Sequence, residues 1–405
     1  MNNEKYLYQL APDKIKFGLE RTEQILACCQ NPEKNFFSIQ IVGTNGKGST
    51  AAFLSNILCL KYKVGLFTSP HLVDFKERIR INSKKIKTSE VNCFIEKYQN
   101  EFETIQPSFF EIMTAMAMWH FKQNKVDIAI LETGLGGRLD SVTACQNDIV
   151  AFTNIDLDHQ KILGESIKKI TIEKAAAINE FTRGVFSVKQ KKEAHQILHN
   201  RAAQYNLAIQ LVSRNTQSLF LQHMQGEHQI INAKLAETIA RTISKKLFTK
   251  INKKDILVGL QTTKWPGRFQ TISHKPTVIF DVAHNNAGIK SFIGTTKQQL
   301  LKQNYSKKTL ICAFEASKII DKTVIPLNNI FDNIICTETN IKNSMSCQQL
   351  AQCFQNPKVI YNVNIDNVLQ KTLSTSGKND LICIIGSHYF GTYIQKIYNN
   401  SFAKI

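Results

Sequence analysis

The residues best suited to chemistry form one run, Gly43-Thr44-Asn45-Gly46-Lys47-Gly48-Ser49-Thr50. Glycines let backbone N–H groups turn inward with no Cβ in the way, which is how a loop cradles an anion. Lys47 can reach the β- and γ-phosphates of a nucleotide, and Ser49 or Thr50 can give a hydroxyl to phosphate or to Mg²⁺. An apolar stretch, Phe37–Val42, precedes the run, and a helical pattern over Ser49–Leu60 follows it. That setting adds the positive end of a helix to the cradle. Gly48 stands between the lysine and Ser49, so the run departs from the general G-x-x-x-x-G-K-[ST] form. Without its setting it would be only a glycine turn before a helix.

Three further segments end apolar stretches with polar groups. Thr68-Ser69-Pro70-His71-Leu72 closes a second stretch, Val64–Thr68. A hydroxyl at a strand's carboxyl end faces the ligand crevice of a parallel sheet, although Ser69-Pro70 alone is also a turn. Ile130-Leu131-Glu132-Thr133-Gly134-Leu135-Gly136-Gly137-Arg138-Leu139-Asp140 delivers one carboxylate, Glu132, into a glycine-rich turn. A carboxylate at a strand tip suits a divalent metal. Thr153-Asn154-Ile155-Asp156-Leu157-Asp158-His159 ends a third stretch. A lone histidine is more often structural, but His159 shares its predicted sheet edge with Ser69 and Glu132. Glu173-Lys174, taken alone, is an exposed charge pair.

The elements that must position these groups alternate between short apolar runs and longer amphipathic segments, the pattern of a parallel sheet flanked by helices. Strands are expected at Phe37–Val42, Val64–Thr68, Asp127–Leu131 and Asp148–Thr153, with helices at Phe109–Phe121, Ile167–Ile178, Ile230–Leu247 and Lys253–Leu260. After Trp265-Pro266-Gly267-Arg268 the alternation restarts. Strands are then expected at Val278–Asp281, Thr309–Ala313, Asn333–Cys336 and Leu381–Ile385. The expectation is two α/β domains. The first, residues 1–272, has a parallel sheet like that of a P-loop ATPase; the second, residues 273–405, is smaller and Rossmann-like.

A chain of 405 residues is comfortable for two domains. With 43% hydrophobic and 20% charged residues it reads as a globular protein. No apolar run is long enough to span a bilayer, and Met1-Asn2-Asn3-Glu4-Lys5 leads into no signal core. A cytoplasmic protein with no membrane partner is the expectation. The ten cysteines include no C-x-x-C pair, so they are expected to be reduced and without metal. The net charge of +19 suits a polyanionic ligand. Runs such as Lys84-Lys85-Ile86-Lys87 and Lys189-Gln190-Lys191-Lys192 read as solvated faces, not as a nucleic-acid stripe.

The loop, with its extra glycine, resembles that of the folylpolyglutamate synthase/dihydrofolate synthase family of the Mur ligase superfamily. The Ser69-Pro70-His71-Leu72 and Glu132–Asp140 segments and the Asp158-His159 pair resemble further family motifs, in the family's order. Ile172-Glu173-Lys174-Ala175-Ala176-Ala177 resembles E-K-A-G-I, with alanine in place of the glycine. Trp265-Pro266-Gly267-Arg268 resembles W-P-G-R. Asp281-Val282-Ala283-His284-Asn285-Asn286 resembles D-G-A-H-N-P, departing at Val282 and Asn286. The resembling segments run from about residue 40 to residue 390.

The resemblance implies an amide ligase with two Mg²⁺ ions. Ser69, Glu132 and His159 would hold one, and a carbamylated Lys174 would help hold the other. Gly43 through Thr50, Arg268 and Asp281 would bind ATP. Phe110 and Glu111, in a stretch resembling F-E-x-x-T-A, would neighbour a pterin pocket, and His284 would meet substrate. The implied reaction joins L-glutamate to dihydropteroate or to a reduced folate through an acyl phosphate, with Lys47, His159 and Lys174 as catalytic groups. The protein is expected to act as a monomer, completed by domain closure. A cell-wall amino-acid ligase, a nucleic-acid-linked NTPase and a non-catalytic nucleotide binder remain as alternatives. Gly48 and Glu132–Asp140 favour folate over the first.

Overall fold

The computed structural model describes residues 6–8, 16–212, 219–246, 251–339, 343–398 and 402. Met1–Lys5, and Leu247 at the end of an expected helix, lie outside the described residues. The contacts divide the chain into two units. One gathers Met1–Phe220 with Ile230–Thr263, the other Leu221–Gln229 with Lys264–Ala403.

The first unit is built on an eight-stranded sheet of order β4-β3-β2-β5-β1-β6-β7-β8. Its strands are β1 (Phe37–Val42), β2 (Val64–Phe67), β3 (Ile79–Ile81), β4 (Lys84–Lys85), β5 (Ile128–Glu132), β6 (Ile149–Phe152), β7 (Gly184–Ser187) and β8 (Ile209–Leu211). All but β3 and β4 pair in parallel. Ile41 of β1 lies opposite both Glu132 of β5 and Ala151 of β6, so the loops leaving these strands start side by side. β1, β2, β5 and β6 are buried almost throughout, which accounts for their continuous apolar sequences. Gln40 is a fully buried polar residue of β1. Its amide donates to Thr133 and Thr143 and accepts from Asn147, pinning the turn after β5 to the middle of the sheet.

β3 and β4 form a hairpin that the apolar pattern does not announce. Asn82 and Ser83 both take positive φ, 44° and 68°, as a tight two-residue hairpin turn requires. The helix after the phosphate loop runs Lys47–Leu58, starting earlier than Ser49, because Gly46 at φ 90° caps it. It lies against helix Lys253–Thr262, where a Cβ on Gly259 would sit 2.7 Å from Ile57 Cα.

The second unit has a six-stranded sheet of order β13-β12-β11-β14-β10-β9. The strands are β9 (Gln270–His274), β10 (Thr277–Asp281), β11 (Lys308–Cys312), β12 (Asn333–Cys336), β13 (Ile360–Tyr361) and β14 (Leu381–Ile385). Only β9 is antiparallel. The boundary expected at 272/273 falls inside β9. Because β9 pairs with β10, residues 264–272 belong to the second unit. Ile279, Phe292, Leu310, Phe314 and Cys383 form part of its core. All ten cysteines are free. No helix among the described residues is long and apolar enough to cross a membrane.

Two glycines of this unit test the packing in opposite senses. Gly386 has φ +109°, and a Cβ there would strike the Ala313 carbonyl. Gly294, inside helix Asn286–Lys302, has nothing within 4 Å of such a Cβ. Gly386→Ala should therefore cost about 2–4 kcal/mol of unfolding free energy. Gly294→Ala should add about 0.5–1 kcal/mol. Denaturant titrations of both variants check the pair.

Candidate active site

The loop after β1 is held from two sides. Thr44 N donates to Asn154 O (2.8 Å), while the Thr44 hydroxyl donates to Asp156 O (2.9 Å) and accepts from Asp156 N (3.0 Å). Gly43 has φ +151°, and a Cβ there would strike the Thr153 hydroxyl. The strand-end turn after β6 is thus the back wall of the phosphate loop. Lys47 Nζ donates to Thr44 O at 3.2 Å, lying back along the loop. Ser49 Oγ and Thr50 Oγ1 are buried and have no hydrogen-bond partner among the described residues. Buried hydroxyls are rarely left so. A phosphate oxygen or a hard cation at the loop would satisfy them.

Lys174 joins this loop from helix Ile167–Ala175. It is buried, and its Nζ donates to Gly43 O at 2.9 Å. Burial first, and then the Lys47 ammonium, lower its pKa to about 7 against the opposing pull of Asp158 and Asp140. The glycine-rich turn makes the approach possible. A Cβ on Gly137 would lie 2.7–3.0 Å from Glu173 O, Lys174 O and Lys174 Cα. Arg138 N donates to Glu173 O, and the Arg138 guanidinium pairs with the Glu173 carboxylate at 3.1 Å.

Glu132 lies at the end of β5, where its Oε2 accepts from Ser69 N at 3.0 Å. The structure therefore brings Ser69 and Glu132 together. A carboxylate and a hydroxyl are oxygen donors of the type Mg²⁺ takes, so this pair fits such an ion. His159 has its side chain 42% exposed and its Nε2 3.9 Å from Asp158 Oδ1, at a left-handed φ of 50°. An imidazole nitrogen suits Mg²⁺ poorly. No group of three or more His, Cys, Asp and Glu side chains among the described residues forms a ready-made metal cage.

Phe110 covers the glycine turn. A Cβ on Gly134 would lie 2.6 Å from its ring, which also packs on Phe67. Glu111, expected beside it as a pocket residue, is held by its own helix start and by Arg21. Its carboxylate caps helix Phe109–Gln123 through Ser108 N (2.6 Å) and pairs with Arg21 at 3.0 Å. The first bond is local to the helix start, and the second ties it to a residue 90 positions earlier.

Two residues of this site carried no assigned role in the sequence. Asp140 accepts from Leu135 N (2.7 Å) and Val142 N (3.0 Å), shaping the glycine turn. Burial pushes its pKa up to about 6. Asn232, on helix Glu227–Lys246, stands where a Cβ on Gly46 would strike it. The available signal was a polar residue on the face that buries Ala236, Ile239 and Ile243.

In the second unit, Asp281 ends β10. Its carboxylate accepts from Phe269 N and Ala283 N, each at 2.7 Å. Burial raises its pKa to about 6, opposed by the nearby Arg268 guanidinium. Gly267 takes φ 72°, and its carbonyl accepts from Val282 N at 2.9 Å, so the turn carrying Arg268 is tied to the loop after β10. Val282, in place of the expected glycine, is buried. His284 has Nδ1 2.9 Å from Val282 O.

A phosphate loop on one parallel sheet and an acidic strand end on a second are features of a Mur-type ligase. Residues 267–388 match the family described as Mur ligase, glutamate ligase domain. The chain is 30% identical to the dihydrofolate synthase/folylpolyglutamate synthase of Bacillus subtilis, over 94% of this chain and 95% of that one. Escherichia coli FolC in complex with DHPP and ADP superimposes with a TM-score of 0.86 at 25% identity, over 98% of each chain. A bifunctional folylpolyglutamate synthase/dihydrofolate synthase with Mn, AMPPNP and L-glutamate bound gives 0.85 at 25% identity, over 99% of this chain and 98% of that one. The chain belongs to the dihydrofolate synthase/folylpolyglutamate synthase family.

Asp281 offers a direct check on this geometry. Its carboxyl should titrate near pH 6 in the folded protein, against an ordinary value of 3.8. A raised carboxyl pKa means that the folded state holds the proton more tightly. Its contribution to stability is therefore present at low pH and lost as pH rises from about 3.8 to about 6. Carboxyl-carbon NMR titration of the wild type and Asp281→Asn assigns the midpoint.

Proposed function

We propose that this chain is an ATP-dependent ligase that adds L-glutamate to dihydropteroate and to the glutamate tail of reduced folates. The observation that carries this reading is the pair of buried, unpartnered hydroxyls, Ser49 and Thr50, in a loop whose Gly43 carbonyl also holds Lys174. The first unit forms the nucleotide-binding part and the second the glutamate ligase part.

The acceptor carboxylate attacks the γ-phosphorus of ATP, the bond to the β-γ bridging oxygen breaks, and ADP leaves. The resulting acyl phosphate is attacked at carbon by the glutamate amine. Inorganic phosphate departs and the amine loses a proton, giving the amide. The backbone of Gly43, Thr44, Asn45, Gly46 and Gly48 cradles the phosphates, Lys47 offsets charge on the transferred phosphoryl group, and Ser49 and Thr50 satisfy their hydroxyls there. Arg268 and Asp281 belong to ATP binding, Phe110 to the pterin pocket, and His284 to substrate.

Ser69, Glu132 and His159 would hold one Mg²⁺, and Lys174, once carbamylated, would help hold a second. Bound there, the ions would supply Lewis-acid neutralisation of the phosphates. The lowered pKa leaves much of Lys174 as neutral amine near pH 7. Its nitrogen can then attack CO₂ and release a proton, which turns a cation into a carboxylate. The enzyme works on small molecules as a cytoplasmic monomer, without nucleic acid.

Phosphate release with ATP, Mg²⁺ and glutamate should require dihydropteroate or tetrahydrofolate. No release with either acceptor sinks the ligase reading. Lys174→Ala should lower turnover about a hundredfold or more, with partial rescue by added short carboxylates. Carbon-13 bicarbonate should give the wild type a carbamate NMR signal that the variant lacks. Unchanged turnover in the variant removes the carbamate from the mechanism.

A further inference from the structure

Helix Lys192–Ala203 packs beside the lysine helix Ile167–Ala175 and takes no part in the roles above. Ala194, Leu198 and Ala202 are its buried stripe. One position further round stand His195, half-buried, and His199, exposed. Residues four apart on a helix lie one above the other on neighbouring turns. The two rings are 6.5 Å apart between centroids, with planes at 47°. Among the described residues, neither ring takes part in a hydrogen bond or an ion pair.

The backbone beneath them is anchored at both ends. His195 N donates to Lys191 O at 2.9 Å, and Lys191 Nζ pairs with the Asp156 carboxylate at 2.8 Å. Towards the other end, Arg201 Nε donates to Ile178 O at 3.0 Å. Only side-chain rotation separates this arrangement from one in which both imidazoles address a single ion. Zinc held by two such nitrogens at a tetrahedral angle, about 2.0–2.1 Å from each, puts the ring centroids about 5 Å apart. A rotamer change of the exposed His199 closes that difference.

Imidazole nitrogen suits Zn²⁺, Ni²⁺ and Cu²⁺, whereas Mg²⁺ takes oxygen. The spacing is that of H-E-x-x-H, in which two histidines on one helix face hold zinc and the glutamate between them is the base. Here the run is His195-Gln196-Ile197-Leu198-His199. Gln196 cannot act as that base, and its amide donates to Asn200 Oδ1 at 2.8 Å. Among the described residues no third His, Cys, Asp or Glu side chain joins the pair to form a metal cage. What remains is metal binding without hydrolysis. We propose that His195 and His199 clamp one ion of the zinc class, with water filling its other positions, and so tie two turns of this helix together. The site lies outside the ligase roles and does not rest on them.

Zinc titration of the full chain in excess Mg²⁺, read by competition with a chromophoric chelator, tests it. The unaltered protein should bind one equivalent that His195→Ala and His199→Ala each lose or hold about tenfold more weakly. In His199→Ala, adding Asn200→His restores the number of histidines but not their spacing, so binding should stay lost. Ring-nitrogen NMR of the zinc-loaded protein should show His195 and His199 shifted together. Amide exchange within Lys192–Ala203 should slow on loading in the unaltered chain alone. Both residues lie off the buried stripe, so the variants keep the fold. Equal zinc affinity and stoichiometry in the unaltered protein and both alanine variants overturns the inference, as does recovery by Asn200→His. Neither result touches the ligase reading.

Discussion

The hydrogen bond from the Lys174 amine to the Gly43 carbonyl is the constraint around which the first unit is arranged. A lysine this buried needs a polar partner, since burying its charge unpaired is costly. It finds one only because the glycine turn after β5 lets its helix come close. Gly137 has no Cβ to collide with the Glu173 and Lys174 backbone. The same turn is held below by Gln40, Thr133 and Thr143, and above by Asp140. Phosphate loop, lysine helix and glycine turn therefore form one assembly.

Much of this was legible in the residues, and the reasons are physical. β1, β2, β5 and β6 are buried on both faces, so each reads as an apolar run whose end marks the site. Gly46 and Lys47 declare themselves because a phosphate cradle needs backbone without side chains. What escaped reading depends on three-dimensional neighbours. Asn232 reaches Gly46 from a distant helix, and no local spacing records that meeting. The capping role of Glu111 escaped reading because a capping carboxylate and a pocket carboxylate look alike in sequence. Only Arg21, far away in the chain, reveals which one it is. The hairpin of β3 and β4 was missed because its turn uses Asn82 and Ser83 in left-handed backbone, with no glycine to announce it.

In the second unit the altered D-V-A-H-N-N loop keeps its internal bonding. Val282 is accommodated in the core, and Asp281 ties both flanks of the turn through backbone N–H groups. Neither contact depends on a glycine at 282 or a proline at 286. The first turn of helix Asn286–Lys302 is closed independently by the Asn285 side chain, which accepts from Gly288 N.

The glycines of the turn after β5 differ in what surrounds them, and that difference bears on how the family can diverge. Gly137 faces backbone atoms, which no mutation elsewhere can trim away. Gly134 faces the ring of Phe110, a side chain that can shrink. A side chain at position 137 therefore has no room unless the helix carrying Lys174 moves away. A side chain at position 134 would need Phe110 to shrink and would still meet Asp140 Oδ2 at 3.2 Å. Two glycines of one turn thus meet different walls, one made of backbone and one of side chains.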